Sequence, residues 1–385
     1  MSAARDVALV LSGGGMNGML LELGFLKRLR ASPLWPRIGW IYGTSAGALA
    51  GVMAALDRLD DLEAFLLRLE PDETFRPHRL WQTPLTGLHD YRLPETIAER
   101  LEPPELLAAG LARSPIELVV CVTDVAHAWE EGGAAAFERT YSSHRETPEL
   151  MGRAVLASAA ISALVLPLRV GDAIGTDGGW VRNFPLGHAY DNPDVQRIVG
   201  FRYVSRHPKP SGENLTRLRR RLERFRAVPP VRALIGELQE AEQRQARGEP
   251  AHLGEMIVRL MRIAIARNTE LEERHAREKD ASVQELERLR RDVERIARRH
   301  ALPGRRARAA AEIEARFAAS RFPFRHDRAL PTVIVRGDPG AGALDPSFRA
   351  GLVWPEESKR ALIARGYALT DAELASHGIG LRKAV

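Results

Sequence analysis

The sequence predicts an α/β fold in which a largely parallel sheet is covered by helices. Three observations carry that expectation. The chain opens strand–helix–strand–helix, the signature of parallel strands joined by crossover helices. Its 385 residues are 45% apolar and 28% charged, a globular balance with enough chain for one large α/β domain or two ordinary ones. Its strand-like runs are short and aliphatic, as buried strands are.

Val7-Ala-Leu-Val-Leu11 reads as the first buried strand. Glycines come next, and residues 19–30 take helical periodicity through Leu20, Leu23, Leu26 and Leu29. Ile38–Tyr42 reads as the second strand and Ala46–Leu56 as a helix of small residues. A Pro-rich irregular stretch spans Pro71–Pro94, ahead of a helix over Glu95–Leu101. Ile116–Thr123 is the strongest central strand. Phe137–Tyr141 is expected beside it after a turn at Gly132-Gly133. A helix over Leu150–Ser158, an apolar run to Leu168 and a strand over Val195–Val204 complete this part. From Asn214 to about Ala319 the texture changes to long charged helices, broken near Pro229-Pro230, Gly248-Glu-Pro250 and Pro303-Gly304. A strand at Pro331–Arg336 and helices at Glu356–Arg365 and Asp371–Ala375 close the chain. The expected organisation is a core over 1–212, a basic helical insertion or cap over 213–325, and closing elements of the core over 326–385.

The net charge of +6 is unevenly placed. Residues 201–325 hold 30 Lys and Arg against 18 Asp and Glu, a net +12, whereas the remainder holds 26 against 32, a net −6. Arg and Glu interleave at helical spacing, which solvates helices. A basic amphipathic helix through Leu215, Leu218, Leu222 and Phe225 could also lie on anionic lipid. No RNA- or DNA-binding motif appears and aromatics are sparse among the arginines, which argues against a nucleic-acid partner. Cys121 stands alone, excluding an internal disulfide framework and any multi-Cys metal site, and it reads as an inert core residue. No stretch of about 18 uninterrupted apolar residues predicts a transmembrane helix. No secretory signal is read at the start. The expectation is a cytoplasmic protein, at most peripheral at the membrane.

Two glycine motifs carry the chemistry. Ser12-Gly13-Gly14-Gly15-Met16-Asn17-Gly18 ends the first strand and opens a helix, offering bare backbone N–H groups at the positive end of a helix dipole. It satisfies the dinucleotide fingerprint, but the second strand ends at Tyr42-Gly43 without the acidic residue a ribose needs. A nicotinamide-nucleotide site therefore loses most of its support. The second strand runs instead into Gly43-Thr44-Ser45-Ala46-Gly47, the G-x-S-x-G nucleophile elbow. The alternative is a helix-capping serine in a tight turn. One strand–helix unit separates the elbow from the glycine loop, so neighbouring parallel strands would bring the two together, with Gly13, Gly14 and Gly15 as an oxyanion hole.

A nucleophilic serine needs a base. Ser45 comes too early for the strands that precede the nucleophile in an ordinary α/β-hydrolase. His188, His207, His252, His275, His300, His326 and His377 sit in no recognisable catalytic motif. Gly175-Thr176-Asp177-Gly178-Gly179 is the better candidate, since the glycines let Asp177 approach another segment closely. The same Asp-Gly pair is also a hairpin signal.

Taken together, these three sites resemble the patatin-like phospholipase family. Thr86-Gly87-Leu88-His89-Asp90, Val122-Thr123-Asp124, Ala157-Ser158-Ala159-Ala160-Ile161 and Asn183-Phe184-Pro185-Leu186 are similar to family stretches in order and spacing. Asn17 stands where the family often carries Arg or Lys. The resemblance implies a three-layer α/β/α sandwich and a Ser45–Asp177 dyad. Gly13, Gly14 and Gly15 would serve the oxyanion, with Gly18, Gly43, Gly47, Gly178 and Gly179 as supporting glycines. It implies no metal or other cofactor and a phospholipid or related acyl ester as substrate, hence a serine esterase of lipid degradation. Desolvation by neighbours such as Trp180 and Ile174 would raise the Asp177 pKa into a useful range. The Leu164–Leu168 run and the Pro71–Pro94 stretch are candidates to line an acyl groove, with core packing the favoured role for the former. The alternative is a membrane-associated scaffold or regulatory protein with a weak or vestigial hydrolase site.

Overall fold

A computed structural model describes residues 4–78, 88–126, 136–162, 164–204, 213–249, 253–319, 329–345 and 351–381. The opening is β1 (Val7–Leu11), α1 (Gly15–Arg30), β2 (Ile38–Thr44) and α2 (Ala46–Ala55). Then come α3 (Leu59–Arg68), the short α4 (Pro71–Thr74), a hairpin of β3 (Phe75–Pro77) with β4 (His89–Tyr91), α5 (Leu93–Arg100) and α6 (Pro104–Leu111). Next are β5 (Glu117–Asp124), β6 (Glu138–Ser142), α7 (Pro148–Ser158), β7 (Leu168–Val170) and β8 (Ala173–Asp177). These lead to α8 (Gly179–Arg182), α9 (Leu186–Asp191) and β9 (Arg197–Tyr203). Four charged helices succeed them: α10 (Glu213–Glu223), α11 (Pro229–Ala246), α12 (Leu253–His300) and α13 (Arg306–Ala318). The chain closes with β10 (Thr332–Gly337) and α14 (Glu356–Ser376).

The main sheet runs β10-β9-β1-β2-β5-β8-β7, with β6 also paired to β5. Its first five strands are mutually parallel, and β6, β7 and β8 join antiparallel. Strand periodicity sends Val7, Leu9 and Leu11 to one face and Ala8 and Val10 to the other, and both sets are fully buried. The first face packs the larger core with α1, α2, α7 and α14. The second packs Phe184, Leu186, Ala189 and Tyr190 with Ala276 of α12. The result is a sheet between two helical layers.

Two expectations are corrected. The helix after the glycine loop starts at Gly15, because the loop forms its first turn. The two closing helices are one, α14. Gly366 interrupts its apolar pattern, but it is where α14 lies against the Leu21 backbone of α1, with Gly24 meeting Ile363 and Tyr367 in return. The alternative reading of Asp177-Gly178 as a hairpin turn is not met: Asp177 ends β8 and α8 begins two residues later. Gly132-Gly133, Thr86-Gly87, the boundaries near 212 and 325, and His207, His252 and His326 lie outside the described residues.

Candidate active site

The parallel register gathers the site at the carboxyl ends of the strands. Leu11 pairs with Gly43, so the glycine loop beyond β1 stands beside the elbow beyond β2. Thr44 pairs with Cys121 of β5, whose next residue Val122 pairs with Asp177, so one strand separates the serine from the acid. Across that gap Ser45 Oγ donates a 2.7 Å hydrogen bond to Asp177 Oδ2.

The elbow is strained. Ser45 has φ 54° and ψ −121°, a backbone state that side-chain-bearing residues rarely adopt and that costs on the order of 1–3 kcal/mol. Its neighbours must be bare: a Cβ on Gly43 would strike the Gly47 carbonyl, and one on Gly47 the Leu11 carbonyl. Ser158 holds the turn in place. Its Oγ accepts the Ser45 N–H at 2.9 Å and donates to the Cys121 carbonyl at 2.7 Å. Cys121 itself is buried, and burial pushes its thiol up to about 12, so it carries no thiolate at neutral pH.

Asp177 is anchored from several sides. Its N–H donates to Ala160 O at 3.0 Å, its carbonyl accepts from Thr123 Oγ1 at 2.8 Å, and its Oδ1 accepts the Gly179 N–H at 2.7 Å. Desolvation raises its pKa to about 6, against the hydrogen bonds from Ser45 and Gly179, which favour the ionised form. A Cβ on Gly178 would collide with the Cys121 carbonyl, so only glycine lets this turn approach β5.

The glycine loop divides its labour. Gly13 donates its N–H to Asn183 O at 3.0 Å, so this member of the expected oxyanion hole is already engaged. Gly14 and Gly15 stand at the N-cap and first position of α1, where N–H groups have no partner within the helix. Gly15 has φ +55°. Gly14 and Gly18 pack under the Tyr203 ring, where a Cβ on Gly14 would clash. Asn17 is buried and pairs reciprocally with the backbone of Leu344, donating to its carbonyl at 3.0 Å and accepting its N–H at 2.8 Å. Where the family often has a cation, an amide here ties α1 to the closing segment.

Ser45 opens into an apolar cavity of about 990 Å³, its open mouth included. Gly15, Met16, Ala46, Ala159 and Ile161 stand near the serine. Leu49, Val52 and Met53 continue along one side of α2 toward Leu107, Ala108 and Leu111 of α6. Leu69, Thr74, Phe75 and Leu93 line it from the Pro71–Pro94 side, and none of Leu164–Leu168 does. The family model for patatin-like phospholipases matches residues 9–190. Residues 9–190 are thus recognised as a patatin-like phospholipase domain. At the family level that match supports a lipid acyl hydrolase. Among solved structures it is similar to VipD from Legionella pneumophila, with 13% identity and a TM-score of 0.40 over 98% of this chain and 68% of that one. That likeness is too distant to carry weight. No curated protein sequence matches the chain.

The patatin-like site also draws on residues whose part in it the motifs do not announce. Asn183 joins both halves: its carbonyl holds Gly13, its side chain packs against Gly13 and Gly179, and its Nδ2 donates to Thr269 Oγ1 at 3.1 Å. Thr269 lies on α12, within the divergent helices, and no local motif announces it. Behind the sheet, Cys121, Glu138 and His188 bring potential metal ligands within 4.8 Å of one another. Glu138, however, is paired with both Arg182 Nε (2.6 Å) and Nη2 (3.0 Å) and with His188 (2.7 Å). Burial pushes this acid up, but those bonds prevail and hold it at about 2, so its charge is already matched and a dication would meet the guanidinium.

Proposed function

We propose that this chain is a serine acyl hydrolase that cleaves fatty-acyl esters of phospholipids or related lipids through a Ser45–Asp177 dyad and an acyl-enzyme. The observation that carries the reading is the 2.7 Å Ser45–Asp177 hydrogen bond at the mouth of an apolar cavity. The cavity takes the acyl chain, which places the ester carbonyl at the serine. Asp177 accepts the Oγ proton as Oγ attacks, and the N–H groups of Gly14 and Gly15 face the oxyanion. Collapse of the tetrahedral intermediate expels the alcohol, which takes the proton from Asp177. Water then attacks the acyl-enzyme with Asp177 again as base, and the fatty acid leaves. A pKa of about 6 suits this work better than the ordinary 3.8.

Residues 1–212 and 326–385 form the catalytic core in this reading, and 213–325 a helical insertion set on it. A scaffold with a vestigial site fits less well, because the strained elbow and the desolvated acid both carry a free-energy cost that a purely structural role does not require.

The test is fatty-acid release from mixed phospholipid vesicles in the presence of chelator. Wild type is expected to release acid, and Ser45→Ala and Asp177→Asn to lose at least about a thousandfold in rate. An Asp177→Asn enzyme with normal turnover would overturn the dyad.

A further inference from the structure

The long helix α12 shows which way the basic helices face. Asn268 Nδ2 donates to Trp180 O at 2.5 Å and Thr269 meets Asn183, both at the carboxyl edge of the sheet. Glu273 comes next, ion-paired with Arg202 and Arg336 near the ends of β9 and β10. Asp280 then accepts Tyr190 OH at 2.7 Å and the Leu330 N–H at 3.4 Å, just before β10 begins. Between residues 268 and 280, therefore, α12 runs antiparallel to the parallel strands. Its earlier part, Leu253 to Arg267, extends about 20 Å past the edge where Ser45 lies.

The outer side of this overhang is apolar and basic. Met256, Leu260 and Ile263 fall at i, i+4 and i+7 on one helical stripe, and they are 45%, 58% and 64% exposed. Arg259 flanks them and Arg267 follows a turn further along the same side, with no acidic residue between Met256 and Arg267. Arg259 Nη1 donates to the Gly248 carbonyl at 2.7 Å, and Arg219 pairs with Glu242, which ties the α10–α11 hairpin to the same overhang. That hairpin adds exposed Phe225, Val228 and Leu234 beside Arg224, Arg226 and Arg232.

We infer that the Met256–Leu260–Ile263 stripe of α12 is a docking surface for an anionic lipid bilayer, set on the edge of the sheet that carries the active site. Apolar side chains framed by arginines match the boundary between headgroups and acyl chains. A second copy of this chain is the poorer occupant, since two such stripes would bring like charges together. Nucleic acid would use the arginines but leave the apolar stripe in water. The choice of a lipid surface rests on the hydrolase reading, because an acyl chain entering the cavity must come from lipid. The surface itself is testable without turnover.

The experiment uses full-length protein carrying Ser45→Ala, so that vesicles stay intact, in flotation with phosphatidylglycerol/phosphatidylcholine vesicles. Binding is expected to weaken in high salt and to fall at least about tenfold on adding Leu260→Ser and Ile263→Ser. The same two substitutions in the Ser45 enzyme should leave turnover of a soluble short-chain ester unchanged. Flotation unaffected by them would overturn the docking surface. So would a dimer that dissociates on substitution, which would assign the stripe to a second copy. Vesicle binding by this stripe in a protein that cleaves no ester would support the surface while refuting the hydrolase.

Discussion

In the proposed mechanism one carboxylate, Asp177, meets two opposed demands. To accept a proton near neutral pH it must resist ionisation, and burial supplies that resistance by destabilising its charged form. The fold bears the consequence. A native pKa of about 6 against 3.8 unfolded means that the native state holds its proton over a pH range where the unfolded chain has lost it. Native stability is undiminished below about pH 3.8 and falls as pH rises through 6, by up to about 3 kcal/mol. Asp177→Asn is therefore expected to be more stable than wild type at pH 8 and no more stable at pH 3.5, measured by urea unfolding. In the active enzyme the same ionisation should raise kcat/KM about tenfold per pH unit below 6, with a plateau above 7. The serine stores strain of another kind, in its backbone, and the Ser158 bridge to Cys121 O is one contact that holds it there.

Among the elements, the closest helix contact is α1 against α14, where Gly24 and Gly366 let two backbones touch. A methyl group on Gly366 would overlap the Leu21 carbonyl, and neither helix can withdraw without lifting off the core. Gly366→Ala should destabilise the protein by about 1–3 kcal/mol in thermal or urea unfolding, leaving KM for ester unchanged. This pair also shows the limits of pattern reading. The buried strands β1, β2, β5 and β9 are legible because their aliphatic runs reflect burial on both faces, and Ser45 and Asp177 because their glycines record close backbone approach. Helix α14 reads as two, since a glycine that admits a partner helix looks in sequence like one that ends a helix. Gly13 reads as an oxyanion donor, because the Asn183 carbonyl that takes its N–H lies 170 residues away in sequence. Asn183 is legible only as part of a family-like stretch and Thr269 not at all, because their roles exist only in the contact between the end of α8 and α12.

At the scale of the whole molecule, one buried carboxylate ties α12 to two strands of the sheet at once. Glu273 is only 1% exposed and gathers Arg202, Arg277 and Arg336 from β9, α12 and β10. Burial opposes its charge, but the arginines prevail and hold its pKa below 4.5, so this fastening is present above pH 4.5 and weakens as pH falls below it. Removing the acid leaves Arg202, little exposed, without its partner, which is expected to cost about 3–5 kcal/mol. Glu273→Ala should expose α12 to trypsin under conditions where wild type resists. It should also slow ester turnover, because the helix that holds Asn183 would no longer be seated. By contrast, Arg288→Ala, an exposed i,i+3 pair on the same helix, should change neither by more than a few tenths of a kcal/mol.

The sheet order also sets a timetable for synthesis. Strands β9 and β10 lie side by side, yet residues 204–331 separate them in the chain. A ribosome adding about 5–20 residues per second needs roughly 6–25 s to cross that interval. Throughout it, the outer edge of β9 has no strand to pair with and the larger core lacks α14. The nascent chain must survive that wait with a bare sheet edge, so its yield in the cell should depend on how fast the ribosome moves and on which chaperones are at hand.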